Sequence, residues 1–126
     1  MVESEKDPKL IALQFNNCIS NRDVKGLGLL MTEDHAFIDR DNNVSRSREK
    51  MLNAWSKFFD MFPKYRNTFE RIESRHNCAI MLGFACWSEE NQHDPAIWTA
   101  TIADGLVAEW RIYHDTEENR KKFGLS

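Results

Sequence analysis

The chain has 126 residues, 41% of them hydrophobic and 11% aromatic, with a formal net charge of -3. That length holds one ordinary core, that composition excludes intrinsic disorder, and the acidic balance argues against a dedicated nucleic-acid binder, which carries a basic excess. No apolar run approaches the roughly 20 residues that cross a bilayer, and the acidic start MVESEKDPK lacks the form of a signal peptide. Cys18, Cys78 and Cys86 are an odd number without a CxxC pair, so a disulfide framework is not expected and a reducing cytoplasm suits them.

The expected elements are helices first and strands afterwards, an α+β arrangement rather than alternating βαβ units. Asp7-Pro8 is a helix start, since Asp accepts from free backbone N–H groups and Pro suits the first helical position. Ile11, Phe15, Cys18 and Ile19 then repeat at helical spacing. Asp23 caps a short second helix reaching residue 31, with Leu27, Leu30 and Met31 inward. Gly26 and Gly28 each weaken it by about 1 kcal/mol against Ala, so it depends on packing. Residues 32–34 read as a polar turn. Residues 35–40 alternate as a short strand, Asp41-Asn42-Asn43 is turn chemistry, and residues 44–46 return as a hairpin. Ser47 caps a third helix to about residue 61, whose apolar face includes Met51, Trp55, Phe58 and Phe59; Pro63 ends it.

From residue 65 the period changes to two. Residues 65–75 form a polar strand, and His76-Asn77 turn into a strand over 78–89. That strand is apolar on both faces, Ile80, Leu82, Phe84 and Cys86 on one and Ala79, Met81, Ala85 and Trp87 on the other, so both faces are covered. After a loop over 90–95, strands over 96–103 and 106–115 flank Asp104-Gly105, a strong hairpin signal. The whole reads as a single domain over 1–126, with its core over about 8–115. The charged tail 116–126 has Phe123 and Leu125 as its only apolar anchors.

This order of elements, with three local stretches, resembles the nuclear-transport-factor-two-like superfamily, in particular its SnoaL-like and ketosteroid-isomerase-like members. SNRDVKGLGLLMTEDHAFIDRDN is similar to the family's turn, short helix and carboxylate-bearing strand. SRSREKMLNAWSKFF is similar to the helix that comes next, with Ser47 where a Gly is usual. ADGLVAEWRIYHD resembles the terminal strand. The resemblance covers roughly residues 8 to 115. It implies a cone-shaped curved antiparallel sheet wrapped around N-terminal helices, the cystatin-like α+β roll. It also implies a cofactor-independent pocket protein for a small hydrophobic, oxygenated molecule. Such a protein is either an acid/base isomerase, cyclase or lyase, or a non-enzymatic ligand-binding or assembly module, because fold does not supply function.

Matched to ketosteroid isomerase, Asp39 falls on the general base. A carboxylate among apolar walls is raised toward neutrality and becomes a usable base; the plainer reading is a turn carboxylate. His114 shares a strand face with Trp110 and Ile112, and the resemblance brings that face to the pocket, where His114 is expected to pair with Asp39. The match puts Phe15 and, to within a residue, Trp98 where the isomerase keeps its oxyanion donors. Phe has no donor and indole is a poor substitute for a carboxylic acid, which argues against that reaction itself. Phe15, Trp55, Phe59, Phe84, Trp98 and Trp110 are the expected ligand walls, against the plainer reading that such aromatics are core. His35, His76 and His93 are expected to be exposed, and no spacing suggests a metal site. Met81, Ala85, Trp87, Ile97, Thr99 and Thr101 are expected on the outer sheet face, where a homodimer would cover them.

Overall fold

Asp7 accepts a hydrogen bond from the Lys9 amide at 3.0 Å and opens helix α1, Pro8–Ser20, with the proline in the first turn. The computed structural model describes residues 7–88 and 93–125. Asp23 caps α2, Val24–Leu30, through the Gly26 amide. Strand β1, Met31–Ile38, continues with no intervening turn, then β2, Val44–Arg46. Ser47 caps α3, Arg48–Met61, through the Lys50 amide. Strands β3, Arg66–Arg75, β4, Cys78–Cys86, β5, Asp94–Ala103, and β6, Leu106–His114, complete one six-stranded sheet ordered β2-β1-β6-β5-β4-β3. Only β1 and β6 run parallel. Strand β4 stops at Cys86, short of the expected residue 89, with Trp87 and Ser88 already outside it; residue 89 lies outside the described residues. Among the described residues no helix is long and apolar enough to cross a membrane.

The sheet curves where its ladders slip. Register shifts interrupt β1/β6 between Met31 and Ala36, β3/β4 between Phe69 and Arg71, and β5/β6 between Thr101 and Ile102. Extra residues of this kind bend a strand and tighten its twist. Gly83 lies opposite Phe69 at the β3 bulge, and a Cβ there would sit 1.9 Å from the Thr68 carbonyl oxygen, so only glycine fits. The β5–β6 turn takes Asp104 and Gly105 at φ 54° and 75°, the paired left-handed conformation that the Asp-Gly dipeptide favours.

Helix α1 lies across β3 to β6, and α3 closes over β1 and β2. Between helices and sheet, Ile11, Phe15, Leu27, Met81, Trp98 and Trp110 are among the buried residues. Asn16 and Asn67 tie α1 to β3 inside this layer, each side-chain amide donating to the other residue at 3.2 Å.

Four expectations change. The second helix stops at Leu30, because Met31 is already extended and pairs with Val107. Residues 32–34 therefore belong to a strand, and strand alternation carries His35 inward, fully buried rather than exposed. The faces of β4 are also reversed. Met81 pairs with Trp98, so Met81, Ala85 and Trp87 pack on the helix side, while Ile80 pairs with Thr99 and Leu82 with Ile97 on the outer side. Ile97, Thr99 and Thr101 keep their expected outer position. That outer side is covered in part by the chain itself. After α4, Glu117–Lys122, Phe123 and Leu125 pack on Ile80, Ile97, Leu82 and Tyr113. Leu125 is 3% exposed, and its carbonyl accepts from Arg71.

Candidate functional site

A cavity of about 390 Å³ opens between α3 and the concave side of the sheet. Helix α3 supplies Met51, Ala54, Trp55 and Phe58; β1 and its turn supply Phe37, Asp39, Arg40 and Asp41; Trp98 and Ile112 form part of the floor. Tyr65 and Trp87, at the ends of β3 and β4, complete the wall. The rings touch in a continuous series: Phe37 lies edge-on to Trp55 at 5.9 Å, Trp55 to Phe58 at 5.7 Å, Phe58 to Tyr65 at 4.8 Å, and Tyr65 to Trp87 at 5.0 Å. Burial pushes the Tyr65 phenol well above its ordinary range despite the nearby Arg40, so it stays protonated.

Polar groups gather at one side. Asp39 Oδ1 accepts from the amides of Asp41 at 2.9 Å and Asn43 at 3.0 Å, and Oδ2 accepts from the Asn43 side chain at 3.1 Å. Partial burial pulls its carboxyl upward, but these hydrogen bonds outweigh that pull and hold it below the usual carboxylate range. Arg40 forks onto Asp94, at 3.1 Å to Oδ1 and 2.7 Å to Oδ2, and also donates to the Pro95 carbonyl. Trp87 Nε1 donates to the same Asp94 carboxylate at 3.2 Å. The indole N–H groups of Trp55 and Trp98 are buried and have no acceptor among the described residues.

The structure brings Asp39, Trp55 and Trp98 to this cavity and disperses the other expected site residues. His114 projects from the end of β6, 58% exposed, with its Nε2 4.0 Å from Asp41 Oδ1; its carboxylate neighbour is therefore Asp41, not Asp39. Phe15 and Trp110 pack on each other at 4.6 Å, fully inside the core. Phe59 stacks beneath Trp55 at 5.4 Å and faces a separate groove. Phe84 points to the outer side of β4 and stacks on His93 at 4.1 Å. Sequence reasoning misses Tyr65, which it places in a polar strand, and Trp87, which it assigns to the wrong face. The register of β4 on β5 is the signal that finds Trp87. Among the described residues no group of three or more His, Cys, Asp or Glu is placed to hold a metal ion.

No family model matches the chain. No curated protein matches it either. Solved structures do. An NTF2-like protein of unknown function from Cytophaga hutchinsonii superimposes with a TM-score of 0.73 at 13% identity, over 98% of this chain and 99% of its own. A candidate SnoaL-like polyketide cyclase from Jannaschia sp. CCS1 gives 0.72 at 17% identity, over 91% of each chain. An LEH-like epoxide hydrolase of Mycobacterium tuberculosis gives 0.75 at 13% identity, over 90% of this chain and 83% of its own. These likenesses carry the architecture and leave chemistry to the site: the chain has the NTF2-like fold, a curved α+β roll closed by its N-terminal helices.

Proposed function

We propose that the chain is a small-molecule pocket protein that takes a largely apolar, oxygenated molecule into the cavity beneath α3. The observation that carries this reading is the aromatic wall around about 390 Å³, with polar groups gathered at one side of it. An apolar pocket with a few polar groups is the usual form of a small-molecule site. Tryptophan fluorescence tests it, because Trp55, Trp87 and Trp98 all line the cavity. Native mass spectrometry of freshly purified protein tests it independently through any retained small molecule. No quenching by hydrophobic oxygenated probes and no retained mass would overturn it.

An acid/base isomerase, cyclase or lyase is the second reading, with Asp39 as base and His114 as its proton partner. What favours it is the convergence of Asp39 and Asp41 on the cavity with His114 beside Asp41. What weighs against it is the set of turn hydrogen bonds on Asp39, since a carboxylate held below its usual range is a weak base. Asp39→Asn should abolish turnover on this reading; unchanged turnover would remove the assignment. A homodimer through the outer sheet face is a further expectation read in the same mass spectrum, with half-buried Leu82, Phe84 and Tyr113 as apolar surface left to it.

A further inference from the structure

The charges around the cavity are unequal in a way the aromatic wall makes significant. Asp39 and Asp41 both line it, while the single cation lining it among the described residues, Arg40, already forks onto Asp94 and donates to Pro95. Arg111 donates to Asn42 in the neighbouring turn at 2.6 Å and lies 4.7 Å over the outward Tyr113 ring. An anionic ligand would therefore meet two carboxylates and no uncommitted guanidinium inside. A neutral ligand would use the rings and leave the carboxylates idle.

A cation uses both. The face of an aromatic ring carries negative potential and attracts an ammonium within about 6 Å, most strongly for Trp and where water is excluded. Here Trp55, Phe58, Tyr65 and Trp87 all line the cavity, packed edge to face on one another. The Asp39 and Asp41 carboxylates at the polar side of the same cavity supply the counter-charge, Asp41 from its exposed rim.

Building on the small-molecule reading above, we propose that the ligand class of this cavity is a cationic amine. A protonated or quaternary ammonium sits between the aromatic rings and the Asp39 and Asp41 carboxylates, and its apolar body lies along the ring wall.

The test is a matched set of probes monitored by tryptophan quenching at pH 8. Benzyltrimethylammonium supplies the cation, neopentylbenzene is its neutral isostere, and 3-phenylpropionate supplies the opposite charge. The cation should bind about tenfold more tightly than the isostere, and the anion more weakly than both. Asp41→Asn should lower cation affinity about threefold or more while leaving the isostere unchanged. Asp39→Asn should act in the same direction, and Asp41→Asn keeps the test valid if the turn loosens when Asp39 is changed. Phe58→Leu should weaken the cation more than the isostere. Equal or tighter binding of the isostere or the anion, or equal losses for cation and isostere in the Asp variants, would overturn the cationic assignment and leave the pocket reading standing. No quenching by any of the three probes, with no small molecule retained in native mass spectrometry, would overturn both.

Discussion

Lowering the pH from 8 to 5.5 should destabilise this protein through a single buried histidine. His35 is fully buried, with Phe15 5.7 Å from its ring. Its Nδ1 lies 2.7 Å from the Val107 carbonyl oxygen, which can only accept, so Nδ1 carries the proton. Nε2 has no partner among the described residues, and protonating it would bury a charge beside aromatic rings. Burial holds the imidazole below its ordinary value of 6.5, while the Val107 hydrogen bond and the nearby Asp34 pull more weakly the other way. The unfolded chain then takes up the proton first. Stability from this group is complete above the unfolded pKa and is lost as the pH falls below it, down to the depressed folded value. One unit below the unfolded pKa, the loss reaches at most about 1.4 kcal/mol relative to high pH. That corresponds to roughly 5 °C in melting temperature for a domain of this size. Urea unfolding at pH 8, 6.5 and 5.5 reads it directly. His35→Asn offers an amide donor toward Val107 but no titrating group, so its stability should be flat across the same window. The depressed carboxyls of Asp7, Asp39, Glu73 and Asp115 lose their contributions only near and below their ordinary values of 3.8 to 4.5, outside that window. A wild-type stability that is flat from pH 8 to 5.5, or a variant with the same slope, would refute the argument.

Three other outcomes are expected from the structure. Gly83→Ala should cost more than about 2 kcal/mol in urea unfolding, because its new methyl meets the β3 backbone rather than a side chain that can move. Leu125→Ala should cost about 2 kcal/mol and raise binding of a hydrophobic dye, since Leu125 covers Ile80 and Ile97 on the outer face. Asp94→Ala should release Arg40 at the cavity, so the affinity for 3-phenylpropionate should rise and that for benzyltrimethylammonium fall in the quenching assay. Unchanged preferences would show that Arg40 does not set the sign of the site.

Much of the fold is legible because its signals are local. Asp7-Pro8, Asp23 and Ser47 each satisfy free amides within three residues, so the helix starts can be read without knowing the rest of the chain. Asp104-Gly105 specifies its hairpin for the same reason, through the left-handed conformation both residues adopt. Asp39 stands out as a polar residue at the end of an apolar strand, and both its pocket position and its turn bonds are present together. The α4 helix is less visible. Its Thr116 cap and its acidic first and basic last turns are local signals, but it spans only six residues, and the apolar anchors Phe123 and Leu125 lie beyond its end.

Tertiary structure decided what local pattern leaves symmetric. Alternation in β4 says which residues share a face, but with both faces apolar it does not say which face meets the helices. The pairing of Met81 with Trp98 decides that, and with it the arrival of Trp87 in the cavity and the departure of Phe84 to the outer side. A second long-range pairing, Met31 with Val107, ends α2 early and buries His35. By itself the sequence determined the helix starts, the turns and the α+β character, because these depend on neighbours a few residues away. Only the folded chain decided the cavity, its acidic side and the cover over the outer face, because each depends on which strand lies beside which and in what register.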